Sequence, residues 1–324
     1  MTLSKKSVNC NQVILEALLG AREALSEDAQ NHIISFLRSQ KCESGGFIDK
    51  AGKSDLYYSV FGYTLALVLD LKLNIADEKK YLKQFEQQNL DFVHSVCLVR
   101  AFYLIHLIEL KQRTGFNASK YLRFSFAKDL ILAKLTKKTM NDCSKVLWEL
   151  ENYIAKDEGY NHNRKDAEHS TVYANYLMWT LYQDLQLEED TIEEIQNANR
   201  SLILDNGSYA NESNSLDGVT SATAAGMIMN LDRGKSKDWL FQMRSKRGGF
   251  MAAKDVPVSD LLSTATALLA LKLSGENMDS FAENSLNFIN LHWDESGGFF
   301  GSIADMSCDV EYTYYALLAL GVLS

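Results

Sequence analysis

Ser296-Gly297-Gly298-Phe299, then Cys308-Asp309-Val310-Glu311-Tyr312-Thr313, then Ala316-Leu317-Leu318-Ala319-Leu320: the C-terminal stretch carries a pattern that recurs upstream. Ser44-Gly45-Gly46-Phe47 leads to Ser54-Asp55-Leu56-Tyr57-Tyr58-Ser59 and then to Tyr63-Thr64-Leu65-Ala66-Leu67. Arg247-Gly248-Gly249-Phe250 leads to Ser259-Asp260-Leu261-Leu262-Ser263-Thr264 and then to Ala267-Leu268-Leu269-Ala270-Leu271. Two weaker copies run from Glu158-Gly159-Tyr160 to Asp166-Ala167-Glu168-His169-Ser170, and from Asn206-Gly207-Ser208-Tyr209 to Asp217-Gly218-Val219-Thr220-Ser221. A further copy without glycines reads Asp91-Phe92-Val93-His94-Ser95. Six motif aspartates result, spaced by 36, 75, 51, 43 and 49 residues. The 75-residue gap is too long for one unit and predicts a degenerate pair around 118–155.

Each unit has a physical logic. Gly-Gly supplies turn positions with positive φ after a helix. The following Phe or Tyr covers the core under the loop. Asp sits where a helix N-cap belongs and complements the positive end of the helix dipole. The helix after it, as in Val60 to Leu71 or Tyr314 to Leu323, is apolar all round and is predicted to be an inner helix. Glu27 to Gln40, Glu189 to Leu204 and Asn277 to His292 are amphipathic and are predicted to be outer helices. Such pairs cannot bury their faces alone. Inner helices this apolar favour closure into a ring over an open stack, which would wet the concave face. The expected fold is all-α, an α/α toroid. One domain spans 1–324, with a helical lead-in over 1–25 and repeats over 26–324.

Composition fits that reading. A single proline, Pro257, stands in 324 residues, which suits long helices. The formal net charge of -9 argues against nucleic acid as a partner. Five scattered cysteines without a C-x-x-C pair argue for a reducing compartment. Polar Asn9, Asn11 and Gln12 stand where a signal core would be apolar. No apolar run is expected to span a membrane. The expected location is the cytoplasm.

Gly-Gly-Phe, about ten residues, Asp-x-x-Tyr-Thr and Ala-Leu-Leu-Ala-Leu together resemble the repeat of protein prenyltransferase β subunits and squalene/terpene cyclases. The resemblance covers roughly residues 25–324 and is strongest at 40–72 and 245–324. It implies an α/α toroid whose central aromatic cavity holds an isoprenoid or another hydrophobic small molecule. The substrate it implies is a prenyl diphosphate or polyprenyl chain, and an α-type partner subunit belongs to the same implication. Candidate lining residues are Tyr57, Tyr58, Tyr173, Tyr176, Trp179, Tyr312, Tyr314 and Tyr315, although core packing is the commoner role for any one of them. Aromatic faces suit such a cavity because they stabilise a carbocation. Lys53 and Arg164 are candidates, among other loop cations, for holding a diphosphate.

Prenyltransferases of this family hold zinc with an Asp-x-Cys pair and the His of Asp-x-x-His-Thr. The chain has Asp91-x-x-His94-Ser95 and Asp166-x-x-His169-Ser170 but no Asp-x-Cys; Glu311 stands where the cysteine would be. That argues against carrying zinc over. The variant that the residues allow is a divalent metal on Asp166, Glu168, His169 and His94. The plainer reading makes the aspartates caps and places the histidines at the ring mouth. Cyclases that start by protonation use Asp-x-Asp-Asp, which is absent. Asp309 with Glu311, and Asp166 with Glu168, are the candidate acid pairs. Three function classes stand open. Isoprenoid chemistry leads, with prenyl transfer slightly ahead of acid-started cyclisation because the Asp-x-x-His-Ser motif and the single-toroid length fit it; a non-catalytic lipid- or protein-binding toroid and a sugar-active α/α barrel are the alternatives.

Overall fold

The computed structural model describes residues 9–115, 125–187, 189–211, 215–230 and 234–324. Residues 1–8 of the lead-in, and part of the stretch where a degenerate pair was expected, lie outside them. Among the described residues fourteen helices follow one another. They are α1 (Cys10–Ala24), α2 (Glu27–Ser39), α3 (Leu56–Val68), α4 (Ile75–Lys83), α5 (Phe92–Thr114), α6 (Ser125–Asp142) and α7 (Ser144–Leu150). Then come α8 (Val172–Leu185), α9 (Glu189–Arg200), α10 (Thr220–Asn230), α11 (Lys235–Met243), α12 (Leu261–Leu273), α13 (Asp279–Asn290) and α14 (Val310–Leu323). Three antiparallel hairpins precede α3, α12 and α14: β1 (Phe47–Ile48) with β2 (Ser54–Asp55), β3 (Phe250–Met251) with β4 (Ser259–Asp260), and β5 (Phe299–Ser302) with β6 (Asp305–Asp309).

The inner ring is α3, α5, α8, α10, α12 and α14, each packed on the next, with α14 returning to α3. The architecture is an α/α toroid. The outer faces of the ring carry α2, α4, α9, α11 and α13. The long gap holds α6 and α7, which pack on α5; α6 also touches α8, so among the described residues this stretch adds no seventh inner helix. α5 is long and apolar enough to cross a membrane by length and composition, contrary to the expectation that no run reaches that size. Its apolar window is 72% buried inside the ring, which accounts for its composition.

The repeat motif is a hairpin lock. In all three hairpins the aromatic residue pairs across with the aspartate: Phe47 with Asp55, Phe250 with Asp260, Phe299 with Asp309. The aspartate then caps the inner helix by accepting from the backbone N–H three residues on. The hydroxyl one residue later accepts the aromatic N–H, at 2.9 Å for Ser59, 2.9 Å for Thr264 and 3.2 Å for Thr313. The same hydroxyl donates to the cap carbonyl, at 2.5, 2.6 and 2.7 Å. A backbone N–H that a buried ring would seal from water is thereby satisfied.

That hydrogen bond also sets the register of the weak copies. Tyr160 N–H donates to Asn175 Oδ1 (2.7 Å), and Tyr209 N–H to Thr223 Oγ1 (3.0 Å). The cap positions are therefore Thr171, whose hydroxyl accepts from Ala174 N–H, and Val219. Asp166 and Asp217, read as caps, are not caps; both are exposed and precede their helices. The unit requires an acceptor one turn inside the helix, and it tolerates Thr or Val at the cap.

The glycine pair does two jobs. The first glycine takes positive φ: +105° at Gly45, +103° at Gly248 and +90° at Gly297. The second lies under an aromatic ring of the next outer helix, where a Cβ would stand 2.6 Å from Tyr81, Phe288 or Phe36. Gly298 meets Phe36 of α2, so the last unit docks on the first and closes the outer layer.

α1 closes one end. It crosses the C-terminal halves of three inner helices. At α8, Cys10 N–H donates to Gln183 Oε1 (2.9 Å) and Asn11 Nδ2 to the Thr180 carbonyl (2.8 Å). At α14, Gly321 approaches the Ala17 backbone. At the end of α3, Arg22 reaches the Val68 carbonyl (2.8 Å) and Asp70 (2.6 Å). The hairpins and caps stand at the other end, which is the mouth.

Candidate functional site

The ring encloses a cavity of about 570 Å³, within the range of small-ligand sites. Its wall is mostly apolar. α3 contributes Tyr57 and Phe61, α8 Tyr173 and Tyr176, and α14 Tyr314 and Tyr315. The rings on α3 and α14 form one continuous face. Tyr57 meets Phe61 edge-on at 5.0 Å, and Phe61 meets Tyr314 at 5.1 Å and Tyr315 at 5.7 Å. The edge-to-face Tyr57–Phe61 pair adds about 0.5–1.5 kcal/mol beyond burial. Burial raises Tyr57, Tyr173, Tyr314 and Tyr315 far above the ordinary phenol value, so all four stay neutral.

Two of the expected acids meet at the mouth. Asp309 caps α14, with Oδ1 accepting the Tyr312 N–H at 2.8 Å. Its Oδ2 is buried without a hydrogen bond, and Lys50 Nζ stands 3.8 Å away. Lys50 also pairs with Asp305 at 2.5 Å and lies over the Tyr312 ring at 5.1 Å. Glu311, in the first turn, accepts from the Tyr57 hydroxyl at 2.6 Å. Burial pushes its carboxyl up to about 7; the Tyr57 bond opposes this and the neighbouring Asp309 charge adds to it. Burial also raises Asp309, against its backbone hydrogen bond and Lys50. Tyr58 stands in the field of Asp309 and Glu311. The structure thus gathers Asp309, Glu311, Tyr57, Tyr58 and Tyr312 at one rim. Tyr57 joins that rim to the cavity wall, which also holds Tyr173.

The other expected residues lie elsewhere. Asp166, Glu168, His169 and Arg164 are exposed on the loop before α8, away from the cavity lining. Glu168 pairs with Lys156 at 2.5 Å on the surface. Lys53 is exposed on the first hairpin and does not line the cavity. Trp179 is buried in the core behind Tyr176. His94 bridges two caps, with Nδ1 at 2.8 Å from Asp91 and Nε2 at 3.3 Å from Asp55. The Asp55 hydrogen bond leads in raising it to about 9, so it is a cation in an ion-pair cluster. Among the described residues no three His, Cys, Asp or Glu side chains are grouped to hold a metal. With His94 engaged by two carboxylates and His169 on an exposed loop, these residues do not fit the zinc site that the family resemblance implies.

Some lining residues give no motif signal. Arg100 and Asp184 both face the cavity, from α5 and α8. Asn11, Ile14 and Leu15 of α1 line the end that this helix crosses. Arg100 is the one of these with a readable clue: a charge in an otherwise apolar helical stretch.

A family model described as the prenyltransferase alpha-alpha toroid domain matches residues 10–124 and 215–324, more than half of the chain. No curated protein sequence matches it. Solved structures with a similar fold include the Candida albicans protein geranylgeranyltransferase-I complexed with GGPP, at 16% identity and TM-score 0.58, over 90% of each chain. A type II terpene cyclase from Scytonema in complex with merosterolic acid A is similar at 9% identity and TM-score 0.53, over 95% of this chain and 97% of that one. A glycosidase is similar at 11% identity and TM-score 0.52, over 92% and 98%. Likeness at such identities speaks for the fold alone.

Proposed function

The chain belongs to the prenyltransferase alpha-alpha toroid family, and from that premise we propose that it is an enzyme acting on an isoprenoid chain held in its central cavity. The observation that carries this reading is an aromatic, mostly apolar cavity inside the helical ring, with a carboxyl at its rim that burial pushes up to about 7. Isoprenoids require an apolar tunnel, and reactions on them pass through carbocations that aromatic faces stabilise.

Within that class the rim favours acid-started chemistry on a polyprenyl chain. Burial pushes the Glu311 carboxyl up to about 7, which keeps a protonated acid available near neutral pH. Its O–H bond breaks as a C–H bond forms at a double bond of the chain, leaving a tertiary carbocation beside Tyr57, Phe61 and Tyr315. The carboxylate left behind accepts the Tyr57 hydroxyl. A C–H bond next to the cationic carbon then breaks, its electron pair forms a new double bond, and the proton returns to the carboxylate, which restores the acid. Transfer from a prenyl diphosphate is the alternative; it asks for cations at the mouth, and Lys50 there is already paired with Asp305. The cytoplasmic setting remains part of the proposal, supported by five cysteines that are all free thiols.

The test is turnover of geranylgeraniol and of geranylgeranyl diphosphate, followed by mass spectrometry, in wild type and Glu311→Gln. The reading expects a product in wild type and at least a hundredfold slower formation in the variant, with binding retained. Binding without any product from either probe would make the chain a lipid-binding toroid.

A further inference from the structure

The far end of the cavity is not apolar. Arg100 lies nine residues beyond the Asp91 cap, which places it roughly 13 Å below the mouth along α5. Its side chain is 19% accessible and that of Asp184 is 13% accessible, and both residues line the cavity. Arg100 Nε faces Asp184 Oδ2 at 3.3 Å but is buried without a hydrogen bond. Nη2 donates to Thr180 Oγ1 at 2.8 Å. A guanidinium carries five N–H donors. One is used by Thr180, and the remainder have only the ion pair with Asp184 among the described residues.

The neighbouring polar groups on this floor are committed to holding α1. Gln183 Oε1 takes the Cys10 N–H, Asn11 donates to the Thr180 carbonyl, and the Tyr176 hydroxyl lies 3.4 Å from Cys10 Sγ. Arg100 is therefore the charged donor on this floor with N–H groups still uncommitted. A plain hydrocarbon tail laid against it would strip water from unpaired N–H groups and return nothing. Asp184 already offsets its charge, so an anionic ligand group is not required. A neutral oxygen satisfies the site.

We propose that Arg100, backed by Asp184, recognises a hydroxyl or carbonyl oxygen at the end of the ligand remote from the mouth. The substrate is then an isoprenoid oxygenated at its far terminus. This rests on the isoprenoid reading above and narrows it.

The test compares geranylgeraniol with the same alcohol hydroxylated on its terminal methyl, by calorimetric titration of the full chain. Wild type is expected to bind the hydroxylated probe about tenfold more tightly, the ratio expected for one satisfied donor. The double variant Arg100→Met with Asp184→Leu, an apolar replacement that buried ion pairs often tolerate, is expected to lose or reverse that preference while still binding geranylgeraniol. Equal affinities in wild type, or a preference that survives in the double variant, would overturn the proposal and leave the isoprenoid reading intact. Binding of neither probe would overturn both. The wild-type comparison decides even where the double variant does not fold.

Discussion

Replacing Gly321 with alanine drives a methyl group into the backbone of α1. A Cβ at that position would stand 1.7 Å from the Ala17 carbonyl oxygen and 2.3 Å from its carbon, where ordinary contacts run 3.4–4 Å. The obstacle is main chain, so no rotamer change relieves it, and α1 and α14 must separate. Overpacking of this kind costs about 1–3 kcal/mol. Should α1 leave the ring altogether, the burial of Leu18 and Leu19 goes with it, at about 1.5–3 kcal/mol each. The helix-propensity gain from glycine to alanine returns only about 0.5–1 kcal/mol. The net expectation is a loss of up to about 2.5 kcal/mol where the helices only shift and about 2–5.5 kcal/mol where α1 leaves, each kcal/mol lowering Tm by roughly 2–4 °C. Gly20→Ala, at the same crossing, is the internal control. Its Cβ finds its nearest neighbour, the Gly321 carbonyl oxygen, at 3.9 Å, so this change is expected to be neutral or stabilising by up to about 1 kcal/mol. Thermal melts give the two signs, and hydrogen exchange on the α1 amides shows whether the helix has loosened. Equal Tm values for the two variants, with α1 equally protected, would refute the role of α1 as the closure of the ring.

Other expectations follow from the hairpin locks and the rim. Thr264→Val and Thr313→Val keep shape but remove the acceptor for a buried Phe N–H; each is expected to lower stability by about 1–3 kcal/mol in urea titrations, and a loss under 0.5 kcal/mol argues against the lock. Glu311 holds its proton in the folded state up to about 7 against an ordinary 4.5, so the folded chain binds more protons between those values. Stability should therefore fall as pH rises from 4.5 to 7, by about 3 kcal/mol, and Glu311→Gln should flatten that slope. His94 has the opposite origin: its partners Asp55 and Asp91 stabilise the cation. Its contribution is full below pH 6.5 and lost as pH rises through about 9, so a His94→Gln variant should converge on wild-type stability above that pH.

Strong repeats made the toroid legible, because Gly-Gly-aromatic and Asp-x-x-x-Ser/Thr serve local geometry that any unit must satisfy. Helix order and the inner or outer assignment followed from which segments are apolar all round. The same emphasis on aspartate misplaced the weak units. Asp166 and Asp217 are acids near a helix start, whereas the residues that hold register there are Asn175 and Thr223, whose role shows only once the Tyr160 and Tyr209 N–H groups are seen to need them. The Asp309–Glu311 rim was readable because both acids lie in one motif. Its link to Tyr57 was not, since that bond joins residues 254 positions apart. Arg100 stands out only as a charge in an apolar stretch, Asp184 carries no local signal, and the sequence of α1 gives an amphipathic helix but not the end of the ring that it covers. Such contacts depend on closure, a property of the whole ring rather than of any segment.

The central claim is that the aromatic cavity holds an isoprenoid chain with one end beside Glu311. Diffraction from crystals soaked with geranylgeraniol tests it most directly. The account predicts continuous chain density between Tyr57, Phe61, Tyr173 and Tyr315, with a double bond within contact of the Glu311 carboxyl. An empty or water-filled cavity at saturating ligand, or a ligand bound only on the outer surface, would contradict it.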